Sequence, residues 1–282
     1  MTDHVSSQER LREGLTPEIA VVTIASGGLE DFALNTIGSM LSCGVRADQV
    51  FLFHADAAAG EYASMAKYLP QDNILPIQAT LNPRSIDIEK TYADYGTDTF
   101  NTFTRLKLLA VRWLMAKGAA QVVYTDLDIV WIRNPLNYLK KVAKRHDLAV
   151  QNESDQLGLA HVCAGFMSLK NTAAIDRLSA TLIGLHEAAI ADGRNVHDQQ
   201  ILNEYLQDHR KVHQAICFLP AAQFPNGLFA PMFAAPDCLQ VFPLSLLRPM
   251  IFHANWCMGL RAKKDMLERA GLWRPGEWPV HR

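Results

Sequence analysis

The chain has 282 residues, 49% of them hydrophobic and 20% charged, with 27 Lys and Arg against 29 Asp and Glu. That is enough apolar material for a large α/β core, and the near-balanced charge offers no basic field for a nucleic-acid backbone, which excludes nucleic acid as an expected partner. The five cysteines, Cys43, Cys163, Cys217, Cys238 and Cys257, are scattered, odd in number and without a Cys-x-x-Cys pair, so they read as reduced, mostly buried thiols of a cytoplasmic protein and exclude a disulfide framework or a zinc site.

Residues 1–17 read as a flexible polar lead without an apolar signal core. Ala20 to Ala25 is a buried strand, followed by the loop Ser26-Gly27-Gly28 and a helix marked by Phe32, Ile37, Met40 and Leu41. Val50 to Phe53 is a second strand, Ala57 to Leu69 a helix, and Ile74 to Ile77 a third, short strand. Strand, loop and helix in repetition predict a parallel sheet with helices on its faces. Residues 80–100 are polar and aromatic without periodicity and predict an irregular loop near a ligand. Phe103, Leu106, Leu109, Ala110, Trp113 and Leu114 mark an amphipathic helix stopped by Lys117-Gly118.

That helix feeds the most informative stretch, Val122 to Trp131, an apolar run interrupted by Asp126-Leu127-Asp128. Read as a strand, it puts both carboxylates on one side. Two anions in an apolar setting repel, so one takes up a proton unless a divalent cation joins them. Hard carboxylate oxygens suit Mn²⁺ or Mg²⁺, ions commonly shared with substrate phosphates. The plainer alternative is a strand end where two acids meet water, and the apolar runs on both sides make it the poorer reading.

Further on, Asn134-Pro135 predicts a helix start. Leu148 to Val150 and Val162 to Leu169 are strands, and Asn171 to Ala191 and His197 to Gln207 are helices. Residues 217–249, with Pro220, Pro225, Pro231, Pro236, Pro243 and Pro249, predict an irregular acceptor-binding surface. No segment has the length and apolarity of a membrane span, although a peripheral enzyme needs none to meet a membrane-bound acceptor.

Several landmarks occur in one order: Thr104-Arg105-Leu106-Lys107, the Asp126-Leu127-Asp128 run to Pro135, Cys163-Ala164-Gly165-Phe166-Met167, His197 to Asn203, then His253 to Gly259 with Lys263 and Gly271-Leu272-Trp273. In this the chain resembles the nucleotide-diphospho-sugar transferases that include plant cell-wall xylosyl- and arabinosyltransferases. It is more distantly similar to glycogenin and the bacterial lipopolysaccharide galactosyltransferases. The resemblance implies the glycosyltransferase A fold, a Rossmann-like and mostly parallel sheet flanked by helices, with a nucleotide-sugar half over 18–135 and an acceptor half with a C-terminal motif over 136–282. It implies retaining transfer of a sugar from a nucleotide diphosphate, UDP in the first instance, to a glycan, lipid, protein or small-molecule acceptor.

The resemblance also implies a Mn²⁺ or Mg²⁺ ion held by Asp126, Asp128 and His253. Asp198 would lie on the donor sugar hydroxyls, with Gln199 beside the anomeric carbon, its carbonyl facing an oxocarbenium-like centre. Thr23, Ala25, Ser26, Arg105, Lys107, Asp126, Leu127, Gly165, Gly259 and Lys263 would contact the donor. Each has a plainer reading. Asp198 opens a helix and would serve there as a cap or first-turn acid. Arg105, Lys107, Lys263 and Lys264 sit where charges are usually solvated, His253 follows an apolar strand, and Gly27-Gly28 would simply make a turn. Trp113 and Trp131 read as core.

Two other functions fit parts of the pattern. In haloacid-dehalogenase-like phosphatases the nucleophile strand also ends Asp-x-Asp with Val two residues later, as in Asp126-Leu127-Asp128-Ile129-Val130. That motif normally opens its domain, whereas here a whole α/β segment precedes it. A non-catalytic nucleotide-sugar-binding protein is the other alternative.

Overall fold

The structure is a computed structural model and describes residues 17–55, 59–81, 93, 95–154, 161–230 and 248–279. The lead at 1–16, most of the 80–100 stretch and residues 231–247, with Pro231, Pro236, Pro243 and Cys238, lie outside the described residues.

Nine strands are found among the described residues: β1 Ile19–Ala25, β2 Val50–His54, β3 Ile74–Pro76, β4 Gln121–Thr125, β5 Ile129–Trp131, β6 Leu148–Asn152, β7 Val162–Lys170, β8 Cys217–Leu219 and β9 Ile251–His253. Seven form one sheet in the order β3-β2-β1-β4-β7-β6-β8. β3, β2, β1 and β4 run parallel, β7 runs against both β4 and β6, and β8 is parallel to β6. The sheet is therefore mostly parallel, as expected, with β7 as the reversed strand. β1 is buried along its whole length, which is why it reads as an unbroken apolar run.

The helices are α1 Glu30–Ser42, α2 Ile77–Leu81, α3 Asp98–Thr104, α4 Leu106–Ala116, α5 Leu136–Val142, α6 Ala173–Ala191, α7 Asp198–Asp208, α8 Arg210–Ala215 and α9 Gly259–Arg269. α4 stops where Gly118 takes φ +102, a value that suits glycine. α6 starts from Thr172, whose hydroxyl accepts from Ile175 N at 3.3 Å. Asn134 does the same before α5, accepting from Leu136 N at 3.0 Å.

Two local readings need correction. The helix expected over Ala57 to Leu69 is a 3₁₀ segment at Glu61–Lys67. Its buried side chains, Tyr62 and Met65, are three apart, which is the 3₁₀ repeat. Asp126 and Asp128 are not on a continuous strand. β4 ends at Thr125, and Asp126-Leu127-Asp128 is a turn leading into β5. β5 belongs to a separate two-stranded sheet with β9. The turn is fixed by backbone bonds from Asp126 N to Gly165 O (2.8 Å) and from Ala254 N to Asp128 O (2.9 Å). The Thr36 hydroxyl also donates to Leu127 O at 2.5 Å. The two carboxylates converge because the chain changes sheets between them, and strand alternation is not the cause.

Among the described residues Cys43, Cys163, Cys217 and Cys257 are free thiols, and only Cys163 of these is buried. No helix of the described residues is long and apolar enough to cross a membrane. Trp131 is core, while Trp113 is partly buried against it.

Candidate active site

Where β4 turns into β5, a cavity of about 720 Å³ opens beside the sheet. The register of β5 with β9 pairs Ile129 with His253 and so carries His253 to the turn. One oxygen each of Asp126 and Asp128 and one ring nitrogen of His253 lie within 4.8 Å of one another. His253 Nε2 is 3.2 Å from Asp128 Oδ1. From α9, Lys263 Nζ reaches Asp128 Oδ2 at 2.5 Å.

Asp126 is held from the other side. Tyr124 donates its hydroxyl to Asp126 Oδ1 at 2.6 Å. Lys107, buried on α4, stands 3.2 Å from Asp126 Oδ1 and 3.3 Å from Asp198 Oδ2. One cation thus spans the metal-type carboxylate and the acid at the start of α7. Asp198 is the first residue of α7 behind the cap position His197, so it also stands as a first-turn acid, and its N–H donates to the Thr104 hydroxyl at 3.2 Å.

These partners set the charges. Burial alone would raise the Asp128 carboxyl, but Lys263 and His253 outweigh it and hold Asp128 well below the usual carboxylate range. His253 is pulled the other way: burial would lower its pKa, and Asp128 raises it to about 10. Asp126 is raised, first by burial and then by repulsion from Asp128, against the pull of Lys107. Lys107 stays charged, because Asp126 and Asp198 overcome the burial that would lower it.

Gly165 forms the floor. A Cβ there would lie 2.4 Å from His253 Cε1 and 2.8 Å from Asp126 Oδ2. The residue must lack a side chain for this triad to close. The donor set of two carboxylate oxygens and one imidazole nitrogen, with room made by Gly165, fits a divalent ion of the Mn²⁺ or Mg²⁺ type.

The cavity also gathers Ser26, Leu127, Gln199, Gly259 and Lys263 of the anticipated donor and catalytic residues. Thr23, Ala25 and Arg105 do not line it. Thr23 and Ala25 are fully buried in β1. Arg105 turns away to Glu187 at 3.0 Å, so of the two basic residues at this point Lys107 is the one that enters the site. Lys264 is also outside, 3.8 Å from Glu268 on the surface of α9. Gly28 takes φ +75 and its N–H donates to Glu61 Oε2 at 2.7 Å, so Gly27-Gly28 makes a turn that this glutamate closes.

Gln199 is oriented differently from the expectation. Its Oε1 accepts from Ala164 N at 3.0 Å, and its amide nitrogen donates to Glu153. The carbonyl dipole is thus engaged by backbone in this state. Glu153, just beyond β6, was not anticipated. Its carboxylate also accepts from Asn255 at 3.3 Å, and burial raises its pKa. The available signal was the polar run Gln151-Asn152-Glu153 closing an apolar strand, the same pattern as at Asp126.

A second group without a motif forms the rim. Tyr95 hydrogen-bonds His197 Nε2 at 2.9 Å. Trp256 and Met258 are 54% and 73% exposed at the cavity mouth. Trp256 has φ 60, a left-handed conformation that a bulky side chain rarely adopts.

With this geometry in hand, comparison with known proteins is direct. The profile of the nucleotide-diphospho-sugar transferase family matches residues 66–267. The UDP-galactose:fucoside alpha-3-galactosyltransferase of Dictyostelium discoideum is 23% identical over 90% of this chain and 42% of its own length. The UDP-D-xylose:L-fucose alpha-1,3-D-xylosyltransferase 3 of Arabidopsis thaliana is 25% identical over 76% of this chain and 57% of its own. The chain thus spans about half the length of these relatives. Among solved structures, mouse xyloside xylosyltransferase 1 superimposes with a TM-score of 0.54 at 11% identity, over 85% of this chain and 99% of that one. The galactosyltransferase LgtC, in complex with donor and acceptor sugar analogs, gives 0.54 at 14% identity, over 92% and 98%. These structures establish the glycosyltransferase A fold, and the profile match over most of the sequence establishes descent: the chain belongs to the nucleotide-diphospho-sugar transferase family.

Proposed function

We propose that this protein is a metal-dependent, retaining glycosyltransferase that moves a sugar from a UDP-linked donor to a glycan acceptor. The observation that carries the reading is the convergence of Asp126, Asp128 and His253 within 4.8 Å, with Lys263 on the same carboxylate. Asp126, Asp128 and His253 would hold Mn²⁺ or Mg²⁺, which when bound neutralises charge on a diphosphate.

The chain's own groups account for the rest. Lys263 on α9 is paired with Asp128 beside the ion site, a position suited to the negative charge that grows on the departing diphosphate. Lys107 holds Asp198 in place from 3.3 Å, so that Asp198 accepts hydrogen bonds from donor hydroxyls. Gln199 is pinned between the Ala164 N–H and Glu153. What it brings to the anomeric centre is a fixed polar surface backed by the Glu153 carboxylate.

The relatives' names support a UDP donor and a sugar acceptor, since they specify UDP-galactose with a fucoside and UDP-D-xylose with L-fucose. Both names also specify α products. Retention follows for an α-linked donor. The phosphatase alternative finds no support in the family match.

The test is incubation with Mn²⁺ and a panel of UDP-sugars, first alone and then with fucosides and xylosides. Slow donor hydrolysis that gives way to transfer is the expected result. The anomeric proton of the product should show retained configuration by NMR. A β-linked product from an α-linked donor overturns the mechanism, and binding without turnover favours a non-catalytic nucleotide-sugar-binding protein.

A further inference from the structure

Gln151 lies in β6, 0% exposed, and does not line the cavity. It stands directly behind His253. Its Nε2 is 3.0 Å from Phe224 O and 3.1 Å from Pro225 O. Backbone carbonyls only accept, so the amide nitrogen must face them, and a flipped amide would press its oxygen against two others. The remaining atom, Oε1, lies 2.8 Å from His253 Nδ1. A carboxamide oxygen also only accepts, so Nδ1 carries a proton. The ring nitrogen left to ligate is Nε2, which is the one that faces Asp128 at 3.2 Å.

The register of β6 on β7 shifts between Val150 and Gln151, an irregularity of the kind that re-aims a side chain. The other atom near Nδ1 is Cys163 Sγ at 3.6 Å, and a sulfur is too weak an acceptor to fix the ring alone.

We propose that Gln151 is a positioning residue for the ion site, holding His253 in the Nδ1–H tautomer so that Nε2 is presented beside Asp126 and Asp128. The inference rests on the metal-site reading above and extends it by one layer. Partners behind a ligating histidine commonly fix its tautomer and plane, and their loss costs on the order of 10–100-fold in metal affinity.

The experiment titrates Mn²⁺ into wild type, Gln151→Met and Gln151→Glu in the presence of UDP by calorimetry. Gln151→Met removes the acceptor at similar volume, whereas Gln151→Glu, with its outer oxygen protonated toward the Phe224 and Pro225 carbonyls, keeps one toward Nδ1. We expect Mn²⁺ affinity to fall on the order of 10–100-fold in Gln151→Met and to recover in Gln151→Glu. Proton NMR of the Co²⁺-loaded protein reads the ring itself. Wild type should show a shifted imidazole N–H that exchanges slowly with solvent, and Gln151→Met should exchange it fast.

A wild type without Mn²⁺-dependent UDP binding removes the metal-site reading and this inference with it. A wild type that binds, beside a Gln151→Met of equal affinity and equally slow N–H exchange, overturns this inference alone. Loss in both folded variants also overturns it. Should Gln151→Met not fold, the wild-type Co²⁺ spectrum decides, because absence of a slowly exchanging ring N–H is incompatible with the proposal.

Discussion

Asp126 and Asp128 stand two residues apart and are held by different parts of the chain. Asp126 is met by Tyr124 at the end of β4 and by Lys107 of α4, both from the parallel-sheet half. Asp128 is met by His253 at the end of β9 and by Lys263 of α9, both from the C-terminal end. Asp126 is the more open, with 28% of its side chain exposed against 9% for Asp128. Their pKa values shift in opposite directions as a result: burial and the neighbouring anion raise Asp126, while two cations override burial and lower Asp128. Asp128 is therefore the more strongly held anion and ties the C-terminal motif to the sheet. Asp126 is the more adjustable partner, facing the cavity. Identical residue types in one turn acquire different duties from the elements that reach them.

Removing each carboxylate in turn puts this contrast to its strongest test. Asp128→Ala leaves His253 and Lys263 together without a counter-charge. We expect loss of transfer and of Mn²⁺-dependent UDP binding, with destabilisation of about 3–5 kcal/mol in urea unfolding. Asp126→Ala should also abolish metal-dependent binding but cost much less stability, because Lys107 keeps Asp198 as its partner. Equal destabilisation by the two substitutions would show that the asymmetry is not real.

Gln199→Ala sharpens the catalytic side of the same boundary. Turnover should drop on the order of 10–1000-fold with donor affinity little changed, as for loss of one preorganised electrostatic contact. A collapse in UDP-sugar affinity at unchanged saturated turnover would reassign Gln199 to binding.

Gly165→Ala tests whether both halves share one floor. The new Cβ would meet His253 Cε1 at 2.4 Å and Asp126 Oδ2 at 2.8 Å. Overpacking of this kind costs about 1–3 kcal/mol. The variant should also bind Mn²⁺ more weakly, and unchanged calorimetric affinity would mean that the triad does not close as described.

The smallest expected effect is on pH dependence without metal. The pKa of His253 is raised from 6.5 to about 10 on folding. Its pairing with Asp128 thus stabilises the fold fully below about 6.5, and that contribution is lost as pH rises through about 10. The lowered Asp128 carboxyl gives its contribution above its ordinary range and loses it only on strong acidification. The Tm of metal-free protein should fall across the alkaline window, and His253→Asn should flatten that fall. A wild-type Tm that does not decline there would disprove the pairing. A ligating imidazole must give up its Nε2 proton, so Mn²⁺ affinity should rise with pH in the same window.

Much of this was legible in the residues themselves. Buried strands such as β1 and β4 announce themselves as apolar runs because parallel strands are covered on both faces. The Asp126-Leu127-Asp128 interruption is marked by charged residues that a core seldom contains, whereas Gly165 and the distant His253 were reached only through the resemblance to the family. The local features gave the α/β class and the paired carboxylates, and the resemblance gave the remaining site residues. Three decisions belonged to the tertiary structure. The turn between two sheets, and not strand alternation, brings the carboxylates together, because β5 leaves the main sheet to pair with β9. Lys107 enters the site and Arg105 leaves it, although both read as solvated positions on one helix, because the choice is made by Asp126 and Asp198 on one side and Glu187 on the other. Glu153 and Gln151 show in the sequence only as a polar run closing an apolar strand, since their roles depend on hydrogen bonds to Gln199, Asn255 and His253, partners 46 to 102 positions away in sequence. A sequence records which side chains are available at each point. Which of them share a cavity is set by packing between segments that the chain order keeps far apart.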